Sequence, residues 1–542
     1  MNELFLDDTA IYQSSNITRS IIRPTRASDT IPIIGDSYSG DTDSRAWESI
    51  SVSPGFSVVD PDDGLIKCLY RCRGASDTTS HICYAEINPT THAVTRPNLG
   101  IITYGGNTNN NIIIDVEDDL FGVNNLKVEY LSPFLNPSPT SGDKWLAVSN
   151  MTDSEGWLYP SILASDDLKT WTLEKNIATH VSNQVMVTLF FDETTNKWYI
   201  PFQTMDGGIR EISLYRSDTS DYTGAWTNLG VIIHEAGANN QKYWAHLTKA
   251  GDTYVLIINT YSLATEKMDR FELYTSPDLS TWTVQDTSWM SLWAADGDWG
   301  YGLLMLCDLI DLGSQFEMVY AATHGLHNES SRYPTGISYA TLAKYRMAQI
   351  AVTGGSGEGY IISTLQSNPN GYPLTINANS AAGNRVEVEL LDVDNQIITG
   401  YERASCNTVD GNDDGIFISW GRNMPPITQD FKIKTYISNS AKLYGCSLVA
   451  PVSIVSGDFV LTGTDITVSA PESVHTVSEC SLISPGGLVK LTGTDSAKFD
   501  LSLDNISWDS SITIDSGEQT FYIGVTPQDG DYILSATLGI PQ

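Results

Sequence analysis

Polar turn residues followed by alternating apolar and polar positions recur five times between residues 62 and 321. The stretches are DDGLIKCLYR at 62–71, SGDKWLAVSN at 141–150, TTNKWYIPFQ at 194–203, AGDTYVLIIN at 250–259 and LGSQFEMVYA at 312–321. A period of two over such short runs marks strands, and the Gly, Asn and Asp at the head of the runs suit hairpin turns. Helical spacing is almost absent, the nearest candidate being TLAKYRMAQI at 341–350. The pattern predicts an all-β region built on five hairpins.

A second element repeats more sparsely. SDDLKTWT at 165–172 and SPDLSTWT at 276–283 are nearly the same turn, and SDTSDYTGAWTNL at 217–229 is a looser copy. Their tryptophans, Trp171, Trp226 and Trp282, stand 55 and 56 residues apart. A fixed period of this size points to repeated supersecondary units. Five units, each with hairpins and an outer turn, predict a five-bladed β-propeller over residues 1–348, whose radial packing hides strand edges and leaves a central funnel for a ligand. The turn tryptophans are expected to pack between blades.

After residue 348 the pattern changes. Short alternating strands with Gly, Asn and Asp turns predict a β-sandwich over 349–450 and a second, Ig-like one over 451–542, where LTGTD occurs at 461–465 and 491–495. The expected fold class is all-β: a five-bladed β-propeller followed by two β-sandwich domains.

Composition narrows the partners. Hydrophobic residues make up 41% and charged residues 18%, which is globular. No run of about 18 apolar residues exists, so no membrane partner is expected. The start, MNELFLDDTAIY, lacks a basic region followed by an apolar stretch, so synthesis without export is expected, with release by lysis if the chain is a virion component. Thirty basic against 65 acidic residues give a net charge of −35, which repels phosphate backbones and argues against nucleic acid. The seven cysteines are scattered without a paired zinc pattern, and are read as buried free thiols. No metal or cofactor is expected.

Several segments carry a resemblance. LFLDDTAIYQSSNITRSIIRP at 4–24, AWES at 46–49, ICYAEINP at 82–89, TRPNLGIITYGGNTNNNIII at 95–114 and FFDETTNKWYIPFQTMDGGIREISLYRSD at 190–218 are similar to five-bladed propellers related to glycoside hydrolase families 32 and 43. VEVELLDVDNQIITGYERASC at 386–406 resembles the accessory sandwich that follows such propellers, so the resemblance spans about residues 3–450. It implies hydrolysis of a glycosidic bond by two carboxylates in the funnel, their separation deciding inversion or retention. The chain departs from that pattern. Blade one lacks Asn-Asp-Pro-Asn-Gly and blade two lacks Arg-Asp-Pro, with Asn136 and Ser138 where relatives often place acids. Blade three has Ser182 and Asn183 where an Asp is often found.

Funnel-lining residues are expected at the starts of the inner strands. They are Glu48 in blade one, Glu129 in blade two, Asn183 and Gln184 in blade three, Lys242 and Trp244 in blade four, and Asp296, Asp298 and Trp299 in blade five. Glu48 and Asp298 are the candidate acid/base pair, the competing role for Glu48 being a structural hydrogen-bond acceptor. Arg210 would bind a sugar carboxylate or pair with Glu211. Trp289, Trp293 and Trp299 beside acidic residues would stack on sugar rings, or else plug blade five. His324 and His327 are read as solvated loop histidines. Two functions follow as expectations. One is a carbohydrate-recognising propeller that hydrolyses an extracellular or microbial surface polysaccharide. The other is a non-catalytic virion or phage-tail adhesin, either of them a homo-oligomer or virion component.

Overall fold

The computed structural model describes most of residues 2–448. Segments outside the description include 5–9, 116–126, 179–184, 235–238, 293–298, 330–333, 370–373 and 421–428. Side chains of 185–187 and 306–307 are also outside it, and beyond residue 448 only strand backbones are described. The chain forms two compact units, Ile21–Met347, and Met1–Ser20 with Ala348–Gln542. Among the described residues there is no α-helix, only three short 3-10 turns.

Ile21–Met347 has a β-propeller fold made of three five-stranded antiparallel sheets and one nine-stranded sheet, whose two antiparallel halves, the fourth and fifth blades of the expected repeat, meet at one parallel pairing of Met268 with Leu303. The second strands of the blades are Ile66–Arg73, Trp145–Thr152, Lys197–Asp206, Thr253–Ser262 and Gln315–Thr323. These are the five alternating runs of the sequence, each paired antiparallel with an inner strand. The inner strands are Ser51–Val59, Ser132–Leu135, Phe190–Asp192, Asn240–Ala250 and Leu303–Asp311. Blade five takes its outermost pairings from the beginning of the chain: Thr25–Arg26 and Ile34–Gly35 both lie on Thr335–Ala343. The ring is thus closed by an N-terminal segment, and blade five packs on the inner strand of blade one. Residues 1–20, expected in the propeller, belong instead to the second unit, because Ile11–Ser15 pairs with Glu358–Ser363 and Ile17–Ile21 joins the sheet of Ala348–Val352.

The tryptophan turns are built alike where the sequence is alike. Ser165 Oγ accepts from the Asp167 and Leu168 amides, and Asp167 Oδ1 accepts from those of Lys169 and Thr170. Trp171 Nε1 then donates to the Leu168 carbonyl at 3.2 Å. Ser276, Asp278 and Trp282 repeat the arrangement, with Leu279 at φ 63° where Leu168 has 62°. A leucine in the left-handed region is strained, and burial of both side chains offsets it. Leu168 and Trp171 pack with Leu69 and Tyr84 of blade one, and Leu279 and Trp282 with Ile212 and Leu214 of blade three. In the looser copy Trp226 Nε1 donates to Tyr222 instead and packs with Ile200 and Leu146. All three turns seal blade interfaces.

In the second unit two antiparallel sheets share one core. One orders Ile17–Ile21, Ala348–Val352, Lys442–Leu448, Leu374–Ser380 and Gly411–Ile418, and the other Ile11–Ser15, Glu358–Ser363, Lys432–Ser438 and Val386–Leu391. Trp420, Phe431, Val388 and Ile376 lie in that core, and Trp420 Nε1 donates to the Val388 carbonyl. The second expected sandwich falls on 451–542, whose side chains are outside the description. The strands from Asp465 onward pair as one five-stranded antiparallel sheet.

Candidate functional site

The five inner strands all begin on one face of the ring. That face also carries the hairpin turns that join second to third strands, at Gly207–Gly208 in blade three and Leu263–Glu266 in blade four, and the loop after Thr323 in blade five. It is the mouth of the funnel. A cavity of about 270 Å³ is lined by all five inner strands, through Ser57, Ser132, Phe190, His246 and Asp308 among others.

Glu48 does not line the funnel. The preceding 3-10 turn, Ala46–Glu48, tucks it beneath blade one with no exposed surface. Its Oε1 accepts from the Tyr70 hydroxyl at 2.5 Å, its Oε2 from the Arg45 amide at 3.0 Å, and Arg96 Nε stands 3.5 Å away. Burial raises its pKa, while Arg96 opposes the rise. Asn111 donates to the same tyrosine oxygen and accepts from Trp47 Nε1, and Arg96 pairs with Asp41 at 2.7 Å. This network anchors the loop that leads into blade one. Its carboxylate is buried among these partners, with no exposed surface.

Trp299 is also a core residue, 2% exposed, its ring stacked over Tyr320. Trp289 is buried with Nε1 on the Ile22 carbonyl. Of the three tryptophans read as sugar platforms, Trp299 is buried against blade five and Trp289 on the outer strand of blade four, Thr283–Ser291, because apolar area of that size is more stable inside than at a wet rim. Trp293, Asp296 and Asp298 fall outside the described residues, as do Asn183 and Gln184 in blade three. Asn136 and Ser138 sit in a turn at the far end of blade two, where Asn136 Nδ2 donates to Asp143.

The remaining candidates gather at the mouth, in part. Glu129 is half-buried at the start of blade two and accepts from Thr152 Oγ1 at 2.7 Å. Lys242 is buried in an ion pair with Glu272 at 2.7 Å, and Trp244 is buried too. Arg210 is half-exposed. Its Nη1 donates to Gln241 Oε1, and its guanidinium lies over Tyr243 at 5.1 Å and Tyr261 at 5.7 Å. It forms no ion pair with Glu211, whose carboxylate meets His234 at 3.0 Å. His327 stands against both tyrosines, with Nε2 2.9 Å from the Tyr243 hydroxyl. His324 instead stacks on Tyr301, so the two loop histidines serve different contacts.

Sequence reasoning chose Trp244 and missed Tyr243, and the reason is a bulge. The register of Asn240–Ala250 shifts between Lys242 and Ala245. That resets which neighbours share a face, leaving Tyr243 half-exposed beside Arg210 and turning Trp244 inward. Tyr261 and His327 come from a second strand and a distant loop, and no local signal joins them.

The cavity lined by the inner strands has its own polar pair. Asp308 Oδ2 accepts from the Ser57 amide at 2.5 Å, tying the inner strands of blades five and one, and His246 Nδ1 lies 3.7 Å from Asp308 Oδ1. Burial pushes the aspartate well above the usual carboxylate range and lowers the histidine to about 4.

No family model matches the chain, and no curated protein does. Solved structures similar to it include a member of the GH130 family of mannoside phosphorylases, described as containing glycoside hydrolases that target β-1,2 mannosidic linkages in Candida mannan. It matches at 12% identity and TM-score 0.41, covering 60% of this chain and 94% of that one. An α-L-arabinanase of Penicillium chrysogenum, complexed with arabinobiose, matches at 12% identity and TM-score 0.37, covering 60% and 99%. A GH43_1 enzyme from Xanthomonas citri matches at 12% identity and TM-score 0.39, covering 59% and 91%. Likeness at this level assigns no activity, and the functional reading rests on the residues at the mouth.

Proposed function

We propose that the propeller recognises a carbohydrate at the mouth bounded by blades three, four and five. The observation that supports this reading is the half-exposed Arg210 guanidinium lying over the half-exposed Tyr243, with His327 beside them and the buried Tyr261 and Gln241 holding them from below. Sugars offer CH faces to aromatic rings and hydroxyls to charged or amide groups, and this cluster presents both kinds of partner within one patch. The resemblance of the propeller segments to glycoside hydrolase relatives agrees with that ligand class. Hydrolysis is the finer reading, and it loses support in the placement of Glu48, whose carboxylate is closed off by Tyr70, Arg45 and Arg96. The reading is therefore recognition, without Glu48 as acid or base.

An array of microbial polysaccharides, scored both for retention of the protein and for release of reducing ends, tests it. Retention on a subset of glycans is expected, with Arg210→Ala weakening it about tenfold, as loss of roughly 1.4 kcal/mol would. Absence of retention on every glycan would overturn the reading. Release of reducing ends would reinstate hydrolysis, with an acid/base pair that excludes Glu48.

A further inference from the structure

Blade one holds two cysteines whose placement the carbohydrate reading does not use. Cys72 lies on Ile66–Arg73 and Cys83 on the adjacent antiparallel strand His81–Ile87. In the register Tyr70 faces Cys83 and Cys72 faces His81, so the two are diagonal neighbours on one face of the sheet. Their Sγ atoms stand 2.8 Å apart, and neither residue is more than 1% exposed. Two sulfurs in a disulfide lie about 2.0 Å apart, so a small rotation of either side chain closes the remaining gap.

We propose that Cys72 and Cys83 are a covalent modification site, oxidised to a cross-strand disulfide that staples the second and third strands of blade one. The oxidant is a low-molecular-weight disulfide. One cysteine thiolate attacks a sulfur of that oxidant and expels one of its halves as a thiolate, leaving a mixed disulfide on the protein. The second cysteine thiolate attacks the protein sulfur of the mixed disulfide, forming the Cys72–Cys83 bond and expelling the other half. Two electrons pass from the protein thiols to the oxidant, and the two protons end on the released thiols. Burial holds both thiols above the ordinary range, so the exchange is slow in the folded protein and the finished bond is shielded from reductant. The staple would fix the strand ends beside Asp77, whose carboxylate meets Tyr104 and His81.

The test uses the full chain equilibrated with oxidised glutathione, then alkylated in denaturant and weighed intact. The reduced protein should carry seven alkyl groups, one for each cysteine, and the oxidised protein five, seven less the bonded two. Cys72→Ser and Cys83→Ser should each carry six before and after oxidation. Peptide mapping of the oxidised wild type, which needs no variant to fold, should recover Cys72 linked to Cys83. Retention of all seven alkyl groups would overturn the proposal, and so would a linkage between any other cysteines or a loss of two thiols that persists in Cys72→Ser.

Discussion

At the scale of single residues, Glu48 and Asp308 show how burial sorts carboxylates that a sequence presents as equals. Glu48 has no exposed surface and three partners, so Glu48→Gln should lower thermal stability, by about 1–3 kcal/mol for a buried polar group left poorly matched, and leave glycan affinity unchanged. Thermal melting and a binding titration on the same variant check both halves. Asp308 and His246 make a pH prediction through opposite signs. The histidine titrates at about 4 when folded against 6.5 ordinarily, so between those values the unfolded chain binds the extra proton and stability rises with pH. Asp308 is raised well above 3.8, so the folded state holds the extra proton above that value and stability falls with pH. In the wild type the two slopes oppose each other. Asp308→Asn keeps an acceptor for the Ser57 amide and removes one slope, so its melting temperature should climb more steeply than the wild type's from about pH 4 to about pH 6.5. Parallel curves for the two proteins would show that the pair does not titrate as described.

Among the elements, the tryptophan turns join sequence to architecture most openly. Each SxDLxxW turn uses its serine and aspartate to gather backbone amides, which places a leucine and a tryptophan into the seam with the preceding blade. The serine and aspartate are fixed by hydrogen bonds to nearby backbone amides, which is why the turn was legible without any structure. Backbone amides hold Asp278 down to about 2. Its folded pKa lies below the unfolded one, so its contribution is complete above about pH 4 and disappears as pH falls toward 2. Asp278→Ala should cost about 1 kcal/mol at neutral pH, by analogy with loss of a helix cap, and the difference from wild type should shrink over that acid window. The five hairpins were legible for the same reason: alternation and turn residues are local. The phase of the inner strand in blade four was not, because the bulge after Lys242 moves Tyr243 to the mouth and Trp244 to the core without changing the apolar pattern.

For the whole propeller, closure depends on contacts between residues far apart in the chain. Asp36 accepts from the amide and hydroxyl of Thr335, which in turn receives the Val52 amide. His92 of blade one stacks on Tyr339 at 3.5 Å and meets Glu317 of blade five at 2.8 Å. Burial raises Glu317, and His92 opposes that. His92→Ala would leave a buried carboxyl without its partner and should destabilise the propeller by about 1–3 kcal/mol, read from denaturant unfolding. None of these pairings was legible, since each joins segments more than 200 residues apart by tertiary geometry alone. The same holds for the mouth, where Arg210, Tyr243, Tyr261 and His327 come from three blades. That convergence is the centre of the account, and one titration tests it most directly. With a glycan that the wild type retains, Arg210→Ala and Tyr243→Ala should each raise Kd about tenfold, while Glu48→Gln leaves Kd unchanged. If Glu48→Gln abolished binding while the two mouth variants bound as tightly as the wild type, the site would lie elsewhere in the propeller.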